Sequence, residues 1–138
     1  MCHKISIKVN SEITASEQVM SWFEQLNHPP IPDEVIWWEC QTILHEGFAN
    51  MVEHAHKNLP PETPIRIEAE RCDRYIEFRI WSCGQIFDLE RKLREIPELE
   101  DNDSEGGRGL KIMEKMADYL SYERTADNCN CLRMKKYY

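Results

Sequence analysis

Glu46, Asn50 and His54, three polar residues of different chemistry, stand four apart in the run Glu46-Gly-Phe-Ala-Asn50-Met-Val-Glu-His54-Ala. On a helix turning ~100° per residue, steps of four keep all three within roughly an 80° sector. One face then offers a carboxylate able to accept a proton and, a turn later, a neutral carboxamide oxygen suited to a hard cation such as Mg²⁺. A polar stripe on an amphipathic helix is ordinarily its wet side, so the stripe alone assigns no chemistry. A second feature adds to it: Glu105-Gly106-Gly107-Arg108-Gly109-Leu110 is a glycine-rich turn that opens another helical pattern. Such glycines let backbone N–H groups approach a phosphate at a helix N-terminus. Arg108 either adds a direct phosphate contact or lies solvated between them.

Other metal-ligand patterns fail. His45-Glu46 begins like the zinc-protease motif His-Glu-x-x-His, but position 49 is alanine. His54 and His56, two apart, point to different helix faces. Cys129-x-Cys131 is too closely spaced for a usual zinc knuckle and reads as filler of a strand and turn. The six cysteines contain no Cys-x-x-Cys, and Cys40 falls in a helical pattern, so the thiols are expected to be reduced and the protein cytoplasmic. No apolar run approaches membrane-spanning length, and Met1-Cys-His-Lys lacks the apolar core of a signal peptide, so no membrane partner is expected.

The elements that position these residues are legible from period and punctuation. Ile5, Ile7 and Val9 alternate as a half-buried strand. Thr14-Ala-Ser-Glu17 has the form of a capping box, followed by Val19, Trp22, Phe23 and Leu26 at helical spacing. His28-Pro-Pro-Ile-Pro32 is a stiff connector, and Asp33 is the expected N-cap of a long helix reaching about Lys57. Trp37, Cys40, Leu44, Phe48, Met51 and Ala55 form its apolar side, with Glu46 roughly opposite. Trp37-Trp38 is read as core and interface packing. Ile65, Ile67 and Ala69, a turn at Cys72-Asp-Arg74, then Tyr75, Ile76, Phe78 and Ile80 make a β-hairpin. A helix carrying Leu110, Ile112, Met113 and Met116 follows, then strands at Leu120–Arg124 and Cys131–Tyr137 turning at Asp127-Asn128. The order β-α-α-β-β-α-β-β predicts an α+β fold, a two-layer sandwich of helices on one face of a mostly antiparallel sheet. At 138 residues the chain is read as one domain, 1–138, able to bury a core without metals or disulfides. A net charge of −8 argues against a nucleic-acid surface, which needs clustered Lys and Arg.

Taken together, these residues resemble the GHKL superfamily of ATP-binding domains, whose architecture is the Bergerat-type fold. The nearer likeness is to small bacterial anti-sigma factors that are also serine/threonine kinases. Three motifs carry it: Glu46, Asn50, His54 and Ala55 on the long helix; Gly84, Phe87 and Asp88 after a strand; and Gly106, Gly107, Gly109 and Leu110 before a helix. The resemblance implies ATP and Mg²⁺ as cofactors, with Asn50 as the metal ligand and Glu46 as base for the attacking hydroxyl. It implies a nucleotide lid over residues 89–105, expected to order with ligand. His54 either touches phosphate or metal-bound water, or packs near the helix end. The implied activity is phosphorylation of an anti-sigma antagonist protein in a partner-switching pathway, with a sigma factor or similar regulator as second partner and a homodimer as the assembly.

The pattern breaks where the base would be read. Ser82 stands where the family carries the aspartate that accepts the adenine amino proton, and Asn130-Cys131 stand where it tends to carry Thr-Thr. A hydroxyl in place of a carboxylate forfeits a charge-assisted bond of ~1.5–3 kcal/mol, or roughly one to two powers of ten in affinity. Two further classes therefore stand beside the kinase: a non-catalytic binding module with weakened or lost ATP binding, and a simple ATPase or isolated histidine-kinase catalytic domain.

Overall fold

The computed structural model describes residues 2–55, 60–82, 105–125 and 129–138. Along the chain run β1 (His3–Asn10), α1 (Ser16–Phe23), α2 (Glu34–Asn50), β2 (Pro64–Arg71), β3 (Tyr75–Ser82), α3 (Glu105–Met116), β4 (Tyr119–Arg124) and β5 (Asn130–Tyr137). The strands form a five-stranded sheet in the order β1-β2-β3-β5-β4. All four ladders are antiparallel. The expected order of elements and the α+β sandwich are both present.

Alternation along the strands separates two faces. Ile65, Ile67 and Ala69 of β2, Ile76, Phe78 and Ile80 of β3, and Leu132 and Met134 of β5 are buried on the helix side. Phe23 of α1 stacks on Trp37 of α2 with ring centroids 4.5 Å apart and tilts against Phe78 at 5.2 Å, joining both helices to the sheet. Each such ring contributes ~1.5–3 kcal/mol by leaving water. The opposite face is charged. Glu77, buried among cations, pairs with Arg79 at 2.5 Å and Arg133 at 3.2 Å, while Arg79 also holds Glu68 and Glu70.

Four expectations change in the structure. Thr14 lies inside a 3-10 turn (Ile13–Ala15) and bonds Glu12, so it caps nothing, and α1 begins at Ser16 without a side-chain cap. The long helix is α-helical only to Asn50 and widens into a π turn over Met51–Ala55. Its N-cap is as expected, with the Asp33 side chain accepting from the Val35 N–H at 2.9 Å. The glycines at 106–109 belong to α3 itself, within its first turns, instead of forming a turn ahead of it. Finally, the cysteines are not all free thiols: Cys2 is bonded to Cys72, and Cys129 is disulfide-bonded too, leaving Cys40 and Cys131 free among the described residues. Pairing of β1 with β2, which sets His3 opposite Arg71, carries Cys2 and Cys72 side by side although seventy residues separate them. The argument from reduced thiols to a cytoplasmic protein therefore lapses. Among the described residues no helix is long and apolar enough to cross a membrane.

Candidate functional site

Helix α2 is the central helix, with sheet on one side and α3 on another. That double contact explains why its buried arc is wider than an amphipathic pattern predicts: Ile43, Gly47 and Asn50 are buried beside the expected Trp37, Cys40, Leu44 and Phe48. Gly47 sets the distance to the sheet. A Cβ there would lie 2.8 Å from Met134 Cε, 3.1 Å from Ile80 Cδ1 and 3.3 Å from Leu132 Cδ2, so any larger residue would force these side-chain ends to give way.

The stripe of four-residue steps divides accordingly. Glu46 is partly exposed, 27% at its side chain, with His45 Nδ1 3.9 Å from its Oε1. Asn50 is only 6% exposed, and no hydrogen bond reaches its Oδ1 among the described residues. Asn50 is thus no part of a wet face. A buried carbonyl oxygen left without a donor costs ~1–3 kcal/mol, and the cost is recovered if something else supplies positive charge to it. A neutral amide oxygen beside a partly exposed carboxylate is an acceptable donor set for Mg²⁺, which keeps several waters and takes few protein ligands. The backbone of His54 lies in the π turn, a widened geometry that recurs at functional sites. Its side chain lies outside the described residues.

The second part of the site closes the strand ends. Ser82 and Asn130 face each other across the β3–β5 ladder, and both are buried. Asn130 Oδ1 accepts from Arg124 Nη1 at 3.2 Å. The Ser82 hydroxyl donates to Met51 Sδ at 3.6 Å, a weak bond that ties the end of β3 to the π turn directly after Asn50. One bond therefore joins the two halves that the sequence places thirty-one residues apart. Gly84, Asp88 and the lid expected over 89–105 fall outside the described residues up to position 104. Gly106, Gly107, Arg108, Gly109 and Leu110 have helical backbone, and their side chains are outside what is described. The first four N–H groups of any α-helix lack intrahelical partners, so this glycine-bearing N-terminus presents donors to solvent or ligand.

Sequence reasoning missed Gly47 and Met51, because both read as ordinary members of an apolar helix. It also missed a cleft of about 470 Å³ at the strand ends, lined by Lys8, Arg66, Trp81 and Ser82. There the Arg66 guanidinium lies 4.2 Å over the Trp81 ring. The alternation of β2 and β3 marks Arg66 and Trp81 as outward-facing, but only the register makes them neighbours.

No curated protein matches this chain. Among solved structures, the crystal structure of the RsbU and RsbW domains of Rv1364c from Mycobacterium tuberculosis superposes with a TM-score of 0.66 at 13% identity. The likeness covers 97% of this chain and 32% of that one, so this chain spans about a third of that protein's length. The SiaB-SiaC complex from Pseudomonas aeruginosa gives 0.65 at 10% identity, covering 97% of this chain and 89% of that chain. At these identities the likeness establishes the shared fold. The family model described as the histidine kinase-like ATPase domain matches residues 9–136, from the end of β1 through most of β5, and this chain belongs to that family.

Proposed function

We propose that this protein binds Mg-ATP and transfers its terminal phosphoryl group to a serine or threonine of a small antagonist protein, as an anti-sigma regulatory factor in a partner-switching pathway. The observation that carries the reading is the buried Oδ1 of Asn50, unpartnered among the described residues and one helical turn beyond the partly exposed Glu46. Bound Mg²⁺ supplies charge neutralisation between phosphate oxygens, and the ligand for it is Asn50. Glu46 orients the substrate hydroxyl and takes its proton, a role open to a carboxylate that solvent and a partner protein can both reach. The N-terminal backbone of α3, with Gly106, Gly107 and Gly109, holds phosphate oxygens, and by resemblance Arg108 and His54 add contacts to them. Ser82 and Asn130 line the base end, and Gly84, Asp88 and Leu110 complete the set by resemblance. Residues 89–105 serve as the lid. A sigma factor or similar regulator is the second partner, the assembly is a homodimer, and the compartment is the cytoplasm. The fold likeness to a protein solved as the SiaB-SiaC complex supports a protein partner.

Calorimetric titration with ATP, with and without Mg²⁺, beside Asn50→Ala, tests the reading. Mg-dependent binding that the substitution weakens by about ten- to a hundredfold is expected. A folded sample that takes up no ATP at millimolar concentration overturns it.

The second reading is a non-catalytic module that sequesters a regulatory partner. Its support is the base end, where Ser82 and Asn130 already spend their polar atoms on Met51 and Arg124. Partner binding indifferent to Mg-ATP and to Asn50→Ala would favour it over the kinase.

A further inference from the structure

At the end of the sheet remote from Ser82, three potential metal ligands converge that the nucleotide site does not use. One ligand atom each from Cys2, Glu70 and Cys72 lie within 4.8 Å of one another. They come together because β1 and β2 are paired in a register that sets Lys4 opposite Glu70 and His3 opposite Arg71. Beside them lies a cavity of about 400 Å³ whose wall includes Cys2, Cys72 and two imidazoles, His3 and His28. Arg71 fixes the floor of this cavity by donating to the Leu26 and Pro29 carbonyls at 2.7 and 2.5 Å and to the Tyr138 hydroxyl at 3.2 Å. Tyr138 in turn donates to the Cys72 carbonyl. Cys72 is thereby held from the backbone side, while Cys2 is exposed.

In the structure the two sulfurs are joined as a disulfide. We propose that reduction of Cys2–Cys72 converts this clip into a zinc(II) site. Its ligands are the two thiolates and the Glu70 carboxylate, with solvent completing the tetrahedron. Two thiolates with one carboxylate form a donor set that suits Zn²⁺ in tetrahedral geometry, whereas Mg²⁺ and Ca²⁺ select oxygen alone. Glu70 is already oriented by Arg79, 3.2 Å from its Oε1, the kind of outer contact that steadies a ligating carboxylate. Arg79 keeps Glu68 and Glu77 when Glu70 turns to a metal. The chemistry balances as thiol–disulfide exchange. A dithiol reductant gives two electrons and two protons to the Cys2–Cys72 bond and becomes a disulfide itself. Zinc then displaces the two thiol protons, which pass to solvent. Either state fastens the edge strand β1 to β2, through a covalent bond when oxidised and through a metal when reduced.

The test uses the full chain, reduced with a phosphine so that no added thiol competes for metal. Zinc uptake is measured against a chromophoric chelator, and cobalt(II) is used as a spectroscopic probe. One tightly held metal per chain is expected in the reduced protein, with thiolate-to-cobalt charge-transfer absorption. None is expected in the oxidised protein. The double substitution Cys2→Ser, Cys72→Ser should remove the uptake, and Glu70→Gln should weaken it by about tenfold or more. Cys129→Ser should keep the uptake, which separates this site from the other cysteines. Cobalt spectra without thiolate absorption in the reduced wild type would overturn the proposal, and that arm needs no variant to fold. Zinc uptake unchanged by the double substitution would overturn it as well.

Discussion

Asn50 and Asn130 are the same residue type, buried to nearly the same degree, and treated in opposite ways by the fold. Asn130 sits on β5 with its carbonyl oxygen accepting from Arg124, and the neighbouring Ser82 gives its proton to Met51. Asn50 sits on α2 with its carbonyl oxygen unmet by any described group. A protein can hold both because they belong to different parts of the site. The strand ends are closed by the chain itself, while the helix keeps a buried acceptor open at a cost to its own stability. Such a cost persists where a ligand recovers it. Among the described residues the Asn50 end thus keeps an acceptor open, whereas the Ser82–Asn130 end has been partly filled in from within.

The largest effect that would sharpen this contrast falls on Glu46. If the helix end performs phosphoryl transfer, Glu46→Gln should lower the rate on a cognate antagonist by ~10²–10⁴, the range for loss of a general base. The change keeps the side chain's size, so ATP affinity and thermal unfolding should hardly move. Transfer of radiolabel from ATP to the antagonist at the wild-type rate would remove Glu46 from the mechanism while leaving the fold untouched.

Next comes the pair of asparagines, compared on two scales. Asn50→Ala should weaken Mg-ATP binding by about ten- to a hundredfold, the worth of ~1.5–3 kcal/mol for a contact to a charged group. It should leave the unliganded protein as stable as before or slightly more so, because the substitution deletes an unsatisfied oxygen. Asn130→Ala should do the reverse in urea unfolding, costing ~1–2 kcal/mol by deleting a buried amide and the bond it accepts from Arg124. If Asn50→Ala destabilises the free protein as much as Asn130→Ala does, the contrast between the two ends is wrong.

A smaller effect is expected from the residue that lets α2 approach the sheet. Gly47→Ala puts a methyl group against Met134, Ile80 and Leu132. Overpacking of this kind costs ~1–3 kcal/mol, and the lower part of that range applies because the crowded atoms are all side-chain ends. The helix would be pushed outward, carrying Glu46 and Asn50 with it. ATP affinity should fall along with stability, whereas a loss of stability alone would mean that the site tolerates the displacement.

How much of this was legible before the structure depends on whether the signal is local or paired. The strands, the hairpin and the Asp33 cap are written in alternation and in one residue's own hydrogen bond, so sequence reading found them. The motif Glu46-x-x-x-Asn50 was equally visible, but its spacing describes a stripe and says nothing about which members are wet. Burial of Asn50 follows from α3 and the sheet closing over α2 from two sides, a tertiary fact. The π turn at Met51–Ala55 has no sequence signal that the helical period would betray. Cys2 and Cys72 were read as free thiols for a similar reason: their pairing exists only once β1 is registered on β2.

The last expectation concerns Cys40, nearly three turns before Asn50 and, like it, buried on α2. Burial pushes its thiol up from an ordinary 9.0 to about 12, with Lys136 pulling the other way and Glu39 and Asp118 adding to the rise. A thiol whose pKa is higher folded than unfolded binds more protons in the native state between those two values. Stability should therefore be indifferent to Cys40 below pH 9 and fall as pH rises from about 9 to 12. At pH 8 the expected effect is none: iodoacetamide should leave Cys40 unlabelled in the native protein and label it after unfolding in urea. Cys131 is also raised, by burial first, but is less deeply placed and should label sooner. Mass spectrometry of the labelled peptides reads both rates. If Cys40 labels as fast as Cys131 at pH 8, α2 opens from the sheet on the labelling timescale. The buried, unpartnered state of Asn50 would then be one of several conformations and no longer evidence of a site held ready for a ligand.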